Sequence, residues 1–367
     1  MIESNLTLKE VAAHLKVSVS TVRRLIRNGE LQSFRIGTHG QVRVSESAVR
    51  QFCGGGPLAQ TDSEQPKQHI EPQSGTEPTN VRVHSGTTNA ELRWSILNAD
   101  VNVALSMLPA SSVNCIVTSP PYYWQRDYEV EGQIGHESTI EGYVGALVEV
   151  FNNLRDALTP DGTLFLNLGD TYYSAKGKPH GADEKHNGRN MMRRHLRAVD
   201  GPGLGLPRKS LIGIPWRVAL ALQQEGWTLR SSVIWQRPAT LPEPTAHDRP
   251  WRTHENIFIF SKGPKYYFDR SGLAGEEDIW KIVARPENPG SHFAPYPREL
   301  VDRCLACGCP QGGTVLDPFA GSGTTMVSAL ASGRNAVGIE LKSQYADFAS
   351  ARIRKEFGEL ATAEAAA

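Results

Sequence analysis

From Leu92 onward the chain alternates short apolar runs, typical of buried strands, with longer amphipathic stretches, typical of helices. We predict strands in SVNCIVTS, TLFLNLGD, WTLRSSVIWQ, TVLD and NAVGIE, and helices at 140–158 and in LIGIPWRVALALQQEG and TTMVSALASG. Repeated alternation of strand and helix is the pattern of α/β proteins whose helices cover both faces of a sheet. The sequence therefore predicts a doubly wound, mostly parallel sheet over residues 91–358, followed by a tail at 359–367.

A smaller unit precedes this sheet. Residues 6–52 contain a periodic apolar stretch, a short break at Val17–Val19, and a second periodic stretch, STVRRLIRNGEL, which Gly29 ends. Two short alternating runs around a turn at 38–40 predict a β-hairpin. The pattern resembles the winged helix-turn-helix of excisionases and of the MerR group, which implies a DNA-binding module at residues 1–53. Its candidate DNA contacts, on the polar face of the second helix, are Arg23, Arg24 and Arg27.

Residues 54–90 are poor in large apolar side chains and contain three consecutive glycines followed by scattered Pro, Gln, Ser and Thr. A segment that cannot bury apolar surface does not offset the entropy lost on ordering. We therefore predict a flexible linker between the two units.

Charge and apolar content narrow the classes of function. The 39 Lys and Arg balance 39 Asp and Glu, so any contact with nucleic acid must come from local clusters of charge. No apolar run approaches the roughly 18 residues of a membrane helix, and Met1–Lys9 lacks the layout of a signal peptide. The five cysteines are an odd number without the spacing of a disulfide framework. We expect a soluble, cytoplasmic protein with free thiols and no membrane partner.

The first motif with chemical content is Ser119-Pro120-Pro121-Tyr122, which follows a predicted buried strand. This position places it at the carboxyl edge of the sheet, where α/β proteins bind ligands. Methylation of an exocyclic amine on a base is helped by two acceptors that free the nitrogen lone pair, and Ser119 Oγ and the Pro120 carbonyl can supply them. The prolines preset the backbone, and Tyr122 offers a ring against which an unstacked base can pack. The simpler alternative is a turn that only ends the strand.

The second motif, DPFAGSGTT at residues 317–325, follows the predicted strand TVL and begins a helix. Its glycines allow a tight turn and the close approach of a ligand, and a helix N-terminus favours a carboxylate. Because the motif has no Gly-Lys-Ser/Thr, it is unlike a nucleoside triphosphate loop. Glu340 ends the next predicted strand, where an acidic residue can accept hydrogen bonds from ribose hydroxyls. The alternative for Glu340 is a carboxylate with no role beyond the surface.

Together, the Ser-Pro-Pro-Tyr and DPFAGSGTT elements resemble the β-class DNA amino-methyltransferases, in which they occur in this order. The resemblance covers about Leu92 to Glu356 and implies a Rossmann-like class I methyltransferase fold with S-adenosylmethionine as cofactor. Asp100 stands where the family has the Asp of Gly-Asp and would contact the cofactor adenine. The segment HFAPYP at residues 292–297, which begins with His292, resembles the one that helps to enclose the methionine end. The expected cofactor-binding residues are Asp100, Thr118, His292, Asp317, Phe319, Ala320, Gly321, Ser322, Gly323, Thr324 and Glu340. The expected catalytic residues are Ser119, Pro120, Pro121 and Tyr122.

Ser119 stands where many members of this family have Asp. Ser at this position resembles the members that act on cytosine N4, although some adenine N6 enzymes also carry it. We therefore expect methylation of cytosine N4, with adenine N6 as the alternative.

A basic insert at about 171–210 carries a local excess of positive charge. Such a cluster suits phosphate contacts, and a solvated insert without a function is the alternative. Its candidate DNA contacts are Arg189, Arg193, Arg194, Arg197, Arg208 and Lys209. Cys304, Cys307 and Cys309 lie close in sequence but lack a fourth ligand at a recognisable spacing, so we predict no metal site.

The sequence thus predicts a site-specific methyltransferase that acts on double-stranded DNA and methylates a base flipped out of the duplex. One alternative is a DNA-binding regulator that only senses S-adenosylmethionine. Another is an enzyme for a different planar amine, such as an RNA base or a protein glutamine. A cognate restriction endonuclease and a homodimer are partners that the resemblance leaves open.

Overall fold

The fold comes from a computed structural model. It describes residues 5–15, 22, 25–26, 30–36, 41–53, 81–128, 130, 132–177, 197–238, 246–273, 275, 277–284 and 296–360. The chain divides into two compact units, Met1–Pro78 and Thr79–Ala367.

The small unit is built on a three-stranded antiparallel sheet. Its elements are β1 (Asn5–Leu6), α1 (Leu8–Leu15), β2 (Phe34–Ile36), β3 (Gln41–Ser45) and α2 (Glu46–Cys53). A capping box begins α1: the Glu10 carboxylate accepts from the Thr7 backbone N–H at 2.7 Å, and Thr7 Oγ1 accepts from the Glu10 N–H at 3.2 Å. β2 and β3 pair as the predicted hairpin, whereas β1 and α2 were not predicted.

The predicted second helix of the small unit is described only at Val22, Leu25 and Ile26. Val22 and Leu25 are buried in the small hydrophobic core together with Val11 and Val44. The predicted DNA contacts on this helix lie outside the described residues: Arg23, Arg24 and Arg27.

The large unit is an α/β fold. Its strands are β4 (Arg82–Thr87), β5 (Arg93–Asn98), β6 (Val113–Thr118), β7 (Leu158–Leu168), β8 (Thr228–Gln236), β9 (His254–Ser261), β10 (Ile279–Lys281), β11 (Thr314–Asp317) and β12 (Asn335–Glu340). Its helices are α3 (Val101–Leu105), α4 (Ile140–Ala157), α5 (Ile214–Gln224), α6 (Arg298–Gly308), α7 (Thr324–Ala331) and α8 (Ser343–Phe357), with a 3₁₀ helix at Arg270–Leu273.

The nine described strands form one mixed sheet in the order β10-β8-β9-β7-β6-β11-β12-β5-β4. The central run from β7 to β5 is parallel throughout, and β10 is parallel to β8. β9 is antiparallel to both β7 and β8, and β4 is antiparallel to β5. The prediction of a mostly parallel, doubly wound sheet is therefore confirmed, with antiparallel pairs on both sides of the parallel centre.

Two hydrophobic cores cover the two faces of this sheet. Buried side chains of α3, α4 and α5 form one core, which includes Leu105, Leu147 and Val218. Buried side chains of α6, α7 and α8 form the other, which includes Leu305 and Val327. Because the helices lie outside both faces, the carboxyl ends of the parallel strands stay accessible at one edge.

The predicted linker at 54–90 is wrong at its C-terminal end. Residues 82–87 form β4, which pairs antiparallel with β5 along its whole length, and the large unit begins at Thr79 rather than at residue 91. The segment RVHSGT carries one large apolar side chain, Val83, which is half exposed. Since β4 is held by backbone pairing at the sheet edge, its sequence has no apolar period from which a strand could be predicted.

The predicted tail also begins inside the fold. The Leu360 N–H donates to the Thr87 carbonyl at 2.9 Å, and Glu359 accepts from Arg354 Nε at 2.7 Å. Within the part of the chain that the structure describes, no helix is long and apolar enough to cross a membrane.

Candidate active site

A cavity of about 400 Å³ opens at the carboxyl ends of β5, β6, β11 and β12. Both predicted motifs line it, since the residues that follow parallel strands meet at one edge of the sheet. The predicted residues that line the cavity are Asp100, Ser119, Pro120, Pro121, Tyr122, Asp317, Phe319, Ala320, Gly321, Ser322, Thr324 and Glu340. The structure thus brings residues of the two predicted motifs together in one cavity.

A buried carboxylate joins the two motifs. Asp317, at the end of β11, accepts from Thr118 Oγ1 at the end of β6 and from Thr325 Oγ1, each at 2.7 Å. It also accepts from the Phe319 N–H at 3.0 Å and from the Tyr296 hydroxyl at 3.0 Å. Burial raises the pKa of Asp317, and the hydrogen bonds from Thr118 and Thr325 act against this increase. Asp317 therefore fixes the start of the Ser-Pro-Pro-Tyr segment relative to the glycine-rich loop.

A chain of hydrogen bonds runs from the Ser119 side chain into the interior. Ser119 Oγ donates to the Tyr122 hydroxyl at 3.1 Å, and this hydroxyl lies 2.7 Å from Glu255 Oε2 and 3.1 Å from Asn167 Oδ1. Burial and the negative charge of Glu255 raise the pKa of Tyr122 well above its ordinary value, so its hydroxyl keeps its proton and donates. Since the Ser119 hydrogen is directed to Tyr122, the remaining lone pairs of Ser119 Oγ can accept from a ligand in the cavity.

Backbone and aromatic packing hold the Ser-Pro-Pro-Tyr segment in place. The hydroxyl of buried Tyr143 donates to the Pro121 carbonyl at 2.8 Å. The Tyr122 ring lies so close to Gly169 that a Cβ at this position would come within 2.5 Å of Tyr122 Cε2. Residue 169 must therefore be glycine for the ring to occupy this position.

Glu255 and Arg237 form an ion pair in the wall of the same cavity. Arg237 Nη1 lies 3.1 Å from Glu255 Oε1, and the two side chains are 19% and 12% exposed. The two oxygens of Glu255 thus contact different partners, Arg237 and Tyr122. Glu255 lies on β9 and Arg237 directly follows β8, the antiparallel neighbour of β9, and neither was among the predicted site residues.

The glycine-rich loop requires left-handed backbone at two positions. Gly321 has φ +52° and Gly323, the residue before α7, has φ +78°. A Cβ at Gly323 would lie 2.9 Å from Ala349 Cβ, so glycine is required there for packing as well. Gly321, Ser322 and Thr324 line the cavity, so the loop brings the N-terminus of α7 to its edge, and a helix N-terminus favours an anion.

Two acidic residues lie at the β5 and β12 side of the cavity. Glu340 accepts from the Gly321 N–H and from the Lys342 N–H, each at 2.8 Å, and burial raises the pKa of Glu340. Asp100 caps α3, where its Oδ1 accepts from the Asn102 N–H at 2.8 Å. Each carboxylate oxygen has a second lone pair, so both residues can also accept from hydroxyl or amine groups of a ligand.

The same end of the cavity carries aromatic rings that sequence reasoning missed. Tyr128 and Tyr345 line it at a ring-centroid distance of 6.5 Å, and Lys342 Nζ lies 5.1 Å from the centre of the Tyr345 ring. Planar aromatic walls of this kind suit a heteroaromatic ring such as adenine.

Of the predicted DNA contacts in the basic insert, three are described. Arg197 donates to the Trp124 carbonyl, Arg208 Nε donates to the Ser174 carbonyl at 3.1 Å, and Lys209 pairs with Asp248. Arg189, Arg193 and Arg194 lie outside the described residues, as does His292. Tyr296, from the segment that contains His292, does reach the site, where it contacts Asp317 and Thr325.

Four of the five cysteines are buried and free: Cys115, Cys304, Cys307 and Cys309. They belong to the hydrophobic core beneath α6 and α7. Among the described residues, no group of His, Cys, Asp and Glu has an arrangement that could hold a metal ion.

The fold and the two joined motifs define a methyltransferase. Residues 113–351 match the family model described as DNA methylase, and residues 6–53 match a helix-turn-helix domain. The chain is 43% identical over 269 residues to Type II methyltransferase M.SmaI of Serratia marcescens. The aligned region covers 70% of this chain and 90% of that protein. It is 41% identical over 271 residues to Type II methyltransferase M.Cfr9I of Citrobacter freundii, with coverages of 71% and 88%.

A solved structure shows the same fold. PvuII DNA methyltransferase (cytosine-N4-specific) superposes with a TM-score of 0.55 at 21% identity, over 76% of this chain and 92% of that chain. The chain belongs to the N6/N4 DNA methylase family and is a type II DNA methyltransferase with a helix-turn-helix domain at its N-terminus.

S-adenosylmethionine is the cofactor of this family, and the residues in the cavity fit it. The aromatic end with Asp100 suits the adenine, Glu340 suits the ribose hydroxyls, and the N-terminus of α7 suits the methionine carboxylate. A cavity of about 400 Å³ also lies within the usual range for a bound small molecule.

Proposed function

We propose that this enzyme methylates the exocyclic N4 amine of a cytosine that is flipped out of double-stranded DNA at a specific site. The proposal is carried by one relationship, the Thr118–Asp317 hydrogen bond of 2.7 Å, which joins the amine-binding segment to the cofactor loop. Because both segments line one cavity, an amine at Ser119 and a methyl donor at the glycine-rich loop are held within reach of each other.

The amine-binding groups are Ser119 Oγ and the Pro120 carbonyl. An exocyclic amine has two N–H donors, and acceptors for both reduce the conjugation of the nitrogen lone pair with the ring. Ser119 can act as an acceptor because its own hydrogen is donated to Tyr122. When bound, S-adenosylmethionine supplies the electrophilic methyl group, and no nucleophilic side chain is needed.

The Tyr122 ring is proposed to stack on the flipped base. The ring lines the cavity, and its hydroxyl is held by Glu255 and Asn167. A ring that is already fixed loses little entropy when a base packs against it.

The target base is proposed as cytosine because Ser119 takes the place of Asp in the motif. Adenine N6 is the alternative, since the amine-binding groups suit either base. We further propose that the basic insert and the helix-turn-helix domain contact DNA phosphates. A cognate restriction endonuclease and a homodimer are proposed from the family resemblance alone.

The proposal is tested by methyl transfer from labelled S-adenosylmethionine to unmethylated DNA, followed by nucleoside digestion and mass spectrometry. N4-methylcytosine is the expected product, and N6-methyladenine would correct the base while keeping the site. Cofactor binding without any modified nucleoside would support the regulator, and transfer to RNA or protein alone would change the substrate class.

A further inference from the structure

We propose that Arg237 selects the target base, by donating hydrogen bonds to N3 and O2 of the cytosine whose amine is held at Ser119 and Pro120. This inference rests on the proposed function, because it concerns the base bound at that site.

Arg237 is held firmly in the cavity wall. It follows β8, and its backbone N–H donates to the Thr253 carbonyl at 2.8 Å. Its Cζ atom lies 5.9 Å from the ring centre of Trp235, which is buried and donates from Nε1 to the Ile282 carbonyl at 2.9 Å. Packing against a fixed indole and pairing with Glu255 restrict the guanidinium to a small region.

This region lies next to the amine-binding groups. The path from Ser119 Oγ to Arg237 has three contacts: 3.1 Å to the Tyr122 hydroxyl, 2.7 Å to Glu255 Oε2, and 3.1 Å from Glu255 Oε1 to Arg237 Nη1. Ser119, Tyr122, Glu255 and Arg237 all line the one cavity. The inference places the arginine along the edge of a base that is bound at Ser119.

The edge of cytosine matches a guanidinium. Next to its N4 amine, cytosine presents two acceptors in a row, N3 and O2. Arginine carries five N–H donors in a planar fork, which is more than one carboxylate oxygen can accept. A fork that is oriented by Glu255 can therefore donate to two adjacent acceptors on the base.

The two purine bases match the guanidinium of Arg237 less well than cytosine does. Adenine presents N1 as an acceptor next to its N6 amine, but the following group is C2–H, which leaves one buried donor without a partner. Guanine presents N1–H, a donor, which opposes the arginine donors. An unpaired buried donor is costly, so the pair would favour cytosine over both purines.

Pairing with Glu255 also neutralises the charge of Arg237 in the cavity wall. Two mostly buried charges in one cavity wall are costly unless they are paired. The pair carries no net charge, which suits a cavity that also has to accept a cationic methyl donor.

The test uses Arg237→Lys in the full-length enzyme, because lysine keeps the charge opposite Glu255 but has no fork. Arg230→Lys is the matched control, since Arg230 is exposed on β8, the strand that precedes Arg237, and donates to the Tyr266 hydroxyl at 3.0 Å, outside the cavity. Methyl transfer to unmethylated DNA is measured with nucleoside mass spectrometry, and cofactor affinity is measured by calorimetry. We expect Arg237→Lys to lower kcat/KM for N4-methylcytosine about 10- to 100-fold. The control and the cofactor affinity of both variants should match the wild type.

Selectivity is then measured on duplexes that carry cytosine or adenine at the methylated position of a mapped site. We expect the preference of the wild type for cytosine to fall in Arg237→Lys by a factor similar to its loss of kcat/KM. The inference would be overturned if Arg237→Lys kept the kcat/KM and the selectivity of the wild type. It would also be overturned if the variant lost cofactor affinity by the same factor as it lost kcat/KM. If the wild type produces N4-methylcytosine and the variant is unaffected, only this inference fails. If the wild type produces only N6-methyladenine, the proposed base is wrong and the role of Arg237 is wrong with it.

Discussion

The hydroxyl of Tyr122 lies 2.7 Å from Glu255 Oε2 and accepts a hydrogen bond from Ser119 Oγ at 3.1 Å. The ionised carboxylate can only accept, so the phenol must donate to it and must accept from the serine. The direction of these two hydrogen bonds leaves lone pairs on Ser119 for the substrate amine. Glu255 on β9 thus determines, through Tyr122, that Ser119 after β6 can accept a hydrogen bond from the substrate.

Removing the Tyr122 hydroxyl should separate its effect on the orientation of the Ser119 hydrogen from the effect of ring stacking. Tyr122→Phe is expected to lower kcat about tenfold, because Ser119 loses the acceptor that orients its hydrogen. Tyr122→Ala should lower activity further, since base stacking contributes about 1–3 kcal/mol. Both variants should bind S-adenosylmethionine as the wild type does in calorimetry. Tyr266→Phe, outside the cavity, is the control. Full kcat in Tyr122→Phe would show that Ser119 does not depend on the phenol.

Ser119→Ala tests the acceptor itself. Loss of one of the two groups that hold the amine is expected to lower kcat about 100-fold, by analogy with the removal of one preorganised transition-state contact. Cofactor affinity should stay unchanged, because the Thr118–Asp317 contact remains. Ser112→Ala is a suitable control, since Ser112 is partly exposed just before β6, at the end away from the site, and donates to the Pro109 carbonyl at 2.7 Å. A parallel loss of cofactor binding and turnover would assign Ser119 a structural role instead.

Glu340→Gln should weaken the cofactor without abolishing the fold. A hydrogen bond to a charged group contributes about 1.5–3 kcal/mol, so the dissociation constant of S-adenosylmethionine is expected to rise about tenfold or more. The control is Glu356→Gln, which removes the ion pair of 2.9 Å between Glu356 on α8 and Arg298 at the start of α6, outside the cavity. Calorimetry that gives equal constants for Glu340→Gln and the wild type would remove Glu340 from the cofactor site.

Stability should also depend on pH through Glu340. Burial raises the pKa of Glu340, so the folded protein holds this proton at pH values where the unfolded chain has released it. The stabilisation that comes from this protonated carboxyl is fully present below the pKa of Glu340 in the unfolded chain. It is lost as pH rises through the higher pKa of Glu340 in the folded protein. The free energy of unfolding of the ligand-free wild type should therefore fall relative to that of Glu340→Gln across this window. Urea unfolding at a series of pH values measures the difference, and parallel curves for the two proteins would contradict it.

The sequence predicted the part of the site that follows parallel strands. Ser119, Asp317 and Glu340 each come directly after a short apolar run, and such strand ends meet at one edge whatever the order of the strands. Glu255 and Arg237 were missed because their strands are antiparallel neighbours, and nothing local shows that β9 lies beside β7. The one available signal was the carboxylate of Glu255 at the start of the apolar run NIFIF, where a charge is costly without a function.

The edge strand was missed for a different reason. β4 owes its place to backbone pairing with β5, and RVHSGT has no apolar face to reveal it. In the small unit, α1 and the β2–β3 hairpin were predictable because an apolar period and a hairpin turn are local in sequence, whereas β1 and α2 were not predicted. Tyr296 was included only as part of the segment that contains His292, since its contacts with Asp317 and Thr325 bring together residues that lie before α6, at the end of β11 and at the start of α7.

The large unit begins at Thr79, so its stability should depend on residues before position 91. A chain that begins at Thr79 keeps β4, whereas one that begins at residue 91, the boundary predicted from sequence, removes it. β4 covers the edge of β5 and packs on buried Trp94, because a Cβ at Gly86 would lie 3.0 Å from Trp94 Cζ2. We therefore expect the shorter chain to melt roughly 5–10 °C lower and to aggregate through its open edge, while the longer chain keeps the melting temperature of the large unit.

Calorimetric melting and light scattering of the two chains measure this difference, with cofactor affinity as a check that the site is intact. Equal melting temperatures would mean that β4 adds nothing to stability and that the boundary at residue 91 was adequate. If the chain from Thr79 binds cofactor and methylates DNA as the full-length enzyme does, the helix-turn-helix domain is accessory to the reaction. If it binds cofactor but methylates only at high DNA concentration, the domain supplies DNA affinity, as its basic second helix predicts.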